Sequence, residues 1–352
     1  MAITLSKTLF WTFVLGVFSL AAQIPPYYSG IDFSQDGNAL KNDLSDLIIN
    51  THTTLIPYTS GATDTWDIIH ISDADPTISN NVILFYGYDD TDSDSFNDRT
   101  RAIAYQQSSG SCIGYWNREH VFAKSLANPN LDPDFPGPGT DVHNLRAADC
   151  QMNSRRNNNY YRAGSGNSFL DTDFYPGDEF KGDVARIIMY MYLRYPTQCE
   201  PINIGVGDRT YASDMPNIFL EWNEEDPVSE FERNRNDIIF SFQGNRNPFI
   251  DNPYLATLIW NGPTSEDSWG VLSMSDLISQ TEFIYPTITQ DYVYIKGLEL
   301  SKNDLKLYNQ LGQALDFEFK GNKIDVSSFS KGMYFVYIQN QNKSKVFRII
   351  VY

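Results

Sequence analysis

Glu119 stands directly before His120 in the run Tyr115-Trp116-Asn117-Arg118-Glu119-His120-Val121-Phe122, and the chain has only three other histidines, His52, His70 and His143. A carboxylate beside an imidazole offers a hard oxygen ligand for a cation and a proton acceptor for water. On a strand, neighbouring side chains point to opposite faces, so the pair converges on one site only where the backbone bends or the strand ends. Downstream, Asp141-Val142-His143-Asn144-Leu145-Arg146 leads into Cys150-Gln151-Met152-Asn153-Ser154-Arg155-Arg156-Asn157. Between 143 and 162 four arginines (146, 155, 156 and 162) face Asp149 alone, a local surplus of three positive charges. Imidazole, carboxylate and guanidinium groups together suit hydrolysis of a phosphodiester, because arginine can neutralise phosphate oxygens. Taken singly, each has an ordinary structural role: a histidine in a core hydrogen bond, an acid or an arginine run on a solvated face, an asparagine in a turn or cap.

That basic stretch sits in an acidic chain. Against 26 Lys+Arg there are 44 Asp+Glu, a net charge of −18 over 352 residues, which excludes a binder that works through bulk positive charge. A hydrophobic fraction of 41% and an aromatic fraction of 14% exclude general disorder. Three cysteines (Cys112, Cys150 and Cys199) exclude a disulfide-framework miniprotein and leave one thiol unpaired. Connectivity does not follow from spacing; Cys112–Cys150 is the expected bridge because both lie near the Glu119-His120 segment. Asp89, Asp90, Asp92, Asp94 and Asp98 invite a calcium-loop reading. Counted from Asp90, however, the turn glycine is replaced by Ser95 and the closing glutamate by Arg101, so the loop is read as solvated and acidic.

The elements that must position these residues are partly legible. Lys7 followed by an apolar run from Leu9 to Ala22, with small residues at its exit, reads as a secretory leader over 1–22. Leu40, Leu44, Leu47 and Ile48 have helical spacing within Gly37–Ile49, and Val184, Ile187, Ile188, Met191 and Tyr195 within Asp183–Tyr195. Residues 81–86 read as a buried strand, and a third helix is expected to start at Asp226-Pro227. From about Glu282 the texture changes to short alternating runs, including Tyr292–Ile295, Leu305–Tyr308 and Tyr334–Ile338, separated by turns. This predicts a small all-β sandwich. The expected organisation is a leader (1–22), a mixed α+β body (23–265), a linker (266–280) and a β-sandwich (281–352).

The segments WNREHVFAKS (116–125) and DVHNLRAADCQMNSRRN (141–157) resemble the bacterial secreted endonuclease I family, a branch of the ββα-metal or His-Me finger nucleases. The likeness continues through Lys181–Arg186, Trp222, Asp226-Pro227-Val228 and Gln243–Phe249. It implies a ββα-metal fold in which His120 is the general base, with Glu119 and Asn153 ligating a single Mg2+ that Mn2+ or Ca2+ can replace in binding. DNA is the implied substrate, with RNA the second candidate, and the products carry 5′-phosphate and 3′-hydroxyl ends. Relatives often carry a phosphate-binding arginine between the catalytic histidine and the Asp-x-His segment. Here 121–140 contains only Lys124, so Arg156, Arg146 or Arg186 is expected to supply that contact, with Arg156 favoured. His143 is expected to be supporting, and Arg246 either a phosphate contact or a loop tie. Tyr285–Thr287, Leu311–Gln313 and Lys331–Tyr334 resemble a type IX secretion system C-terminal sorting domain, which implies passage through the periplasm to the exterior or the cell surface and the secretion machinery as a partner. The competing classes are a secreted binding or adhesion protein with an inactive nuclease-like body, and a ribonuclease.

Overall fold

The protein is described by a computed structural model that covers residues 24–107, 110–271, 283–296, 300–340 and 343–352. The leader expected over 1–22 and most of the linker expected over 266–280 lie outside the described residues. Two compact units divide at Gly270/Val271, and among the described residues no helix is long and apolar enough to cross a membrane.

The first unit begins with α1 (Gly37–Thr51) and α2 (Thr65–Ser72), the latter opened by a reciprocal Asp64/Asp67 capping box. A small antiparallel pair follows, β1 (Asn81–Ile83) with β2 (Thr100–Ala102). Next come β3 (Trp116–His120) and β4 (Leu145–Asp149), then α3 (Cys150–Arg156) with no intervening loop. β5 (Phe169–Leu170) pairs with β6 (Phe174–Tyr175), and the rest is helical: α4 (Lys181–Arg194), α5 (Asn217–Glu225), α6 (Glu230–Gln243), α7 (Pro248–Asp251) and α8 (Tyr254–Trp260). Every residue of α4 from Gly182 to Leu193 is buried, as befits a central helix covered on all sides. Ile68, Ile69, Val82, Leu84, Trp116, Val142, Leu145 and Ile239 share one core, so the β3–β4 ribbon is pinned to α2 and α6 by hydrophobic burial.

The third helix starts later than expected. Ser229 caps α6, in a box with Glu232, because its hydroxyl reaches the exposed N–H groups of that turn. Asp226 instead ends α5, a helix the sequence reading did not anticipate, and its carboxylate accepts from the Gly182 N–H at the start of α4. The acidic loop is built on three Asx turns, in which Asp89 accepts from Thr91, Asp92 from Asp94 and Asp94 from Phe96, and Asp90 closes it by accepting from the N–H groups of Arg99 and Thr100.

The second unit is two β-sheets, as the alternating runs predict. β7 (Phe283–Tyr285), β9 (Tyr292–Lys296), β13 (Lys323–Asp325) and β12 (Glu318–Lys320) form one. β8 (Ile288–Thr289), β10 (Leu305–Asn309), β11 (Ala314–Leu315), β14 (Gly332–Asn340) and β15 (Lys343–Val351) form the other, in the order β11-β10-β14-β15-β8. All pairings are antiparallel except β15 with β8. Alternate residues such as Val293, Ile295, Leu305, Leu307, Val336 and Ile338 fill the core of this unit.

The junction of β4 and α3 carries a testable load. Asp149 accepts from the N–H groups of Gln151 and Met152 and pairs with Arg101 at 2.5 Å. Asp149→Ala removes both interactions, whereas Asp149→Asn keeps a capping oxygen. Denaturant unfolding is expected to find the Ala variant less stable than the Asn variant by about 1 kcal/mol, the worth of the cap.

Candidate active site

β3 and β4 pair in the register Glu119↔Arg146 and His120↔Leu145, and α3 folds back beside them, completing a ββα unit. His120 is the last residue of β3, where the chain turns away: the Val121 N–H donates to the Asn144 carbonyl and a short 3-10 turn follows at Lys124–Leu126. The strand end lets adjacent Glu119 and His120 line one cleft, of about 340 Å3, together with Tyr58, Arg118, Lys124 and Asn153. Cys112 and Cys150 are bridged as expected, fastening the segment before β3 to the first residue of α3, and Cys199 is a buried free thiol.

Each polar group has a defined orientation. Asn153 donates its side-chain N–H groups to Asn117 Oδ1 (2.8 Å) and the Arg118 carbonyl (3.3 Å), which leaves its Oδ1 as the available atom. His120 Nε2 is 2.8 Å from the Gly139 carbonyl. A carbonyl can only accept, so the proton sits on Nε2 and Nδ1 carries the free lone pair. Position 139 demands glycine, because a Cβ there would lie 2.3 Å from the Asp132 carbonyl oxygen. The imidazole stacks on Tyr58 at 5.6 Å between centroids. Burial pushes its pKa down to about 3, with Lys124, Arg118 and Arg156 adding to the effect and the Gly139 contact opposing it, so His120 is neutral throughout the physiological range.

Glu119 is 2% exposed. Its Oε1 accepts from Tyr86 (3.1 Å) and lies 3.4 Å from Arg156 Nη1. Burial raises its pKa to about 7, against the lowering effect of Arg156 and Tyr86. Among the described residues Oε2 takes no hydrogen bond, and no group of three or more His, Cys, Asp or Glu side chains is placed to hold a metal. The donors that remain are one carboxylate oxygen and one amide oxygen. That set is hard and sparse, and it fits a cation such as Mg2+ that keeps much of its water. An incompletely paired, buried carboxylate is itself a reason for a cation to bind there.

The arginines expected at phosphate are employed elsewhere. Arg156 is fully buried, donates to the Val121 (3.0 Å) and Asn157 (2.9 Å) carbonyls and lies over the Tyr161 ring. It borders the cleft, but its position there is that of a counter-charge to Glu119. Arg146 is not brought to the cleft: it pairs with Asp73 (3.1 Å) and Asp183 (2.7 Å) in the core. Nor is Arg186, which forks onto both Glu232 oxygens at 2.7 and 2.8 Å. Arg246 forks onto Asp251 and so ties its loop. His143 is also away from the cleft, its ring against Tyr190 and its Nε2 3.3 Å from the Asn245 carbonyl, a packing role. Its neighbour Asp141 is pushed up by burial, but His52, His143, Gln243 and Tyr190 outweigh this and hold its carboxyl below the ordinary value.

Two cleft residues were missed by the sequence reading. Arg118 shares a strand face with His120 by two-residue alternation, a signal available in the sequence. Tyr58 comes from a distant loop and left none. Lys124 lines the cleft, and among the described residues it makes no ion pair.

Residues 36–254 match the family model described as Endonuclease I, and residues 283–352 match that described as Secretion system C-terminal sorting domain. The chain is 37% identical to an extracellular ribonuclease of Bacillus subtilis (strain 168), over 69% of this chain and 83% of that protein. It is 36% identical to an extracellular ribonuclease of Bacillus amyloliquefaciens, over 72% and 84%.

The buried Glu119–Arg156 pair yields a double-mutant prediction. Arg156→Met leaves Glu119 without its counter-charge and should cost about 3–5 kcal/mol in denaturant unfolding. Adding Glu119→Gln should recover at least about 1 kcal/mol of that loss. A surface phosphate contact would instead leave stability unchanged.

Proposed function

Because the chain belongs to the endonuclease I family and is a secreted nuclease, we propose that it hydrolyses internal phosphodiester bonds of both DNA and RNA, with His120 as general base. The observation that carries this reading is the tautomer of His120: a neutral imidazole, held at Nε2 by Gly139, with Nδ1 free beside a buried carboxylate. In the proposed reaction His120 Nδ1 takes a proton from water as the water oxygen bonds to phosphorus. The P–O3′ bond breaks, its electron pair leaves with the 3′ oxygen and that oxygen takes a proton from solvent water, giving 5′-phosphate and 3′-hydroxyl ends. Glu119 and Asn153 would hold a Mg2+ ion, which when bound supplies positive charge opposite the developing negative charge. Lys124 and Arg118 would offset charge on the phosphate, in the place the family often gives to an arginine.

This chemistry uses water rather than the ribose 2′-hydroxyl as nucleophile, which supports a site tolerant of either sugar. The relatives' names support RNA among the substrates. Against an inactive nuclease-like body stands the presence of Glu119, His120 and Asn153 in one cleft. The sorting domain supports delivery by the type IX machinery.

Nicking of supercoiled plasmid and degradation of RNA with Mg2+ test the reading. Both should stop with chelator and fall by at least about 100-fold in His120→Ala, the scale of a lost general base. Activity that survives His120→Ala would place the base elsewhere.

A second expectation follows from Glu119. Its folded pKa, about 7, lies above the ordinary 4.5. The ionised carboxylate therefore destabilises the cation-free fold above pH 7, and that penalty fades as pH falls towards 4. A bound cation relieves it. The rise in Tm on adding Mg2+ should be larger at pH 8 than at pH 5, where Glu119 is protonated, and Glu119→Gln should flatten the difference. A larger rise at pH 5 would contradict the ligand assignment.

A further inference from the structure

We propose that the cleft adjoining the active site receives an unstacked nucleobase, so that single-stranded polynucleotide is the preferred substrate. The inference rests on the nuclease reading and adds a subsite to it. The second cleft, of about 710 Å3, is lined among others by Trp66, His70, Gln106, Gln107 and Arg118, and Arg118 lines the catalytic cleft as well.

Arg118 is built as a divider between the two. Its guanidinium carbon lies 3.3 Å from the Tyr58 ring centroid and 3.9 Å from that of Trp66, and it donates to the hydroxyls of Thr65 (2.8 Å) and Thr59 (3.1 Å). Among the described residues it forms no ion pair, and its buried Nε has no partner. Tyr58 in turn stacks on His120. Flat groups therefore run from the general base through Tyr58 and Arg118 to Trp66. Trp66 and His70 both sit edge-on to fully buried Trp116, which fixes their rings. Arg118 Nη1 is taken up by the Tyr58 carbonyl and Thr65, so what it can offer the phosphate that links one nucleotide to the next is a positive charge with no carboxylate partner and one remaining Nη2 N–H.

The far wall suits a base rather than a second phosphate. His70 Nε2 is 2.7 Å from Gln106 Oε1. The amide oxygen accepts, so the imidazole proton is on Nε2, which leaves the Gln106 amide N–H groups as donors and, on the other side of the ring, His70 Nδ1 as an acceptor. Neutral donors and acceptors on a wall of the cleft are partners that a nucleobase can use and a phosphate, which only accepts, can use in part. Asp64 and Asp67 also line this cleft. Their oxygens accept from the backbone N–H groups of Trp66, Asp67 and Asp64, and their charge disfavours phosphate there while leaving a neutral base unopposed. In a duplex the bases are stacked and paired and cannot enter such a cleft, whereas a single strand can splay one out onto aromatic side chains.

The test is fluorescence anisotropy of the full chain with a labelled short oligodeoxynucleotide, single-stranded or annealed to its complement, in chelator so that nothing is cut. The wild-type protein should bind the single strand about tenfold more tightly than the duplex. Gln106→Ala and His70→Gln should each lose most of that preference. Equal wild-type affinity for the two forms, or an unchanged preference in both variants, would overturn the subsite. The same oligonucleotide is then incubated with Mg2+. Binding with preference but no cleavage would overturn the nuclease reading and leave the subsite standing; cleavage without preference would do the reverse.

Discussion

A carboxylate held inside a protein with half of its hydrogen-bonding capacity unused is a standing cost, and Glu119 is such a group. Burial raises its pKa to about 7 although Arg156 lies within 3.4 Å and Tyr86 donates to the same oxygen. The structure supplies enough positive charge to keep Glu119 in place, but not enough to satisfy it. The remaining oxygen looks into a cleft that also holds an oriented amide oxygen from Asn153 and a bare imidazole nitrogen from His120. A surface glutamate would have water for company and little reason to bind a cation tightly. A fully paired one would have no free oxygen to offer.

Much of the body serves to keep that arrangement still. The Cys112–Cys150 bridge, the Asp149 cap and the Asn117–Asn153 hydrogen bond all act on α3 or its approach. Behind the ribbon, Asp73 gathers Arg146 of β4 and Arg235 of α6, and Arg146 reaches on to Asp183 of α4. Such buried pairs are weak evidence for net stability, but each fixes the place of the elements it joins. Arginines spent in this way are not available to nucleic acid. Besides buried Arg156, the cations that line the cleft among the described residues are Lys124 and Arg118. In a chain of net charge −18, contact with a polyanion therefore has to be local, and the proposed Mg2+ would add to the few cations there.

The sequence was most legible where chemistry and periodicity are written in consecutive residues. Glu119-His120, the 141–157 segment, the helical spacing of α1 and α4 and the alternation in the C-terminal strands could all be read directly. The arginines were the weak point. Arg156 reads as a phosphate ligand when only its position on a helix is known, because nothing in the chain announces that Glu119, Val121 and Tyr161 will close around it. Arg146 and Arg186 fail for the same reason, since Asp73 and Glu232 are 73 and 46 residues away from them. The start of α6 was misplaced because Asp-Pro and Ser-x-x-Glu are competing signals three residues apart, and the capping box prevailed. Tyr58 was out of reach, since only the tertiary fold brings its loop against His120.

Anomalous diffraction from crystals soaked in Mn2+ at pH 8 tests the central claim most directly. The cleft should hold a single peak within ligand distance of Glu119 Oε2 and Asn153 Oδ1, and that peak should be absent in Glu119→Gln. No peak there in the wild-type protein, or one that survives the substitution, would contradict the assignment of Glu119 as the residue around which the site is built.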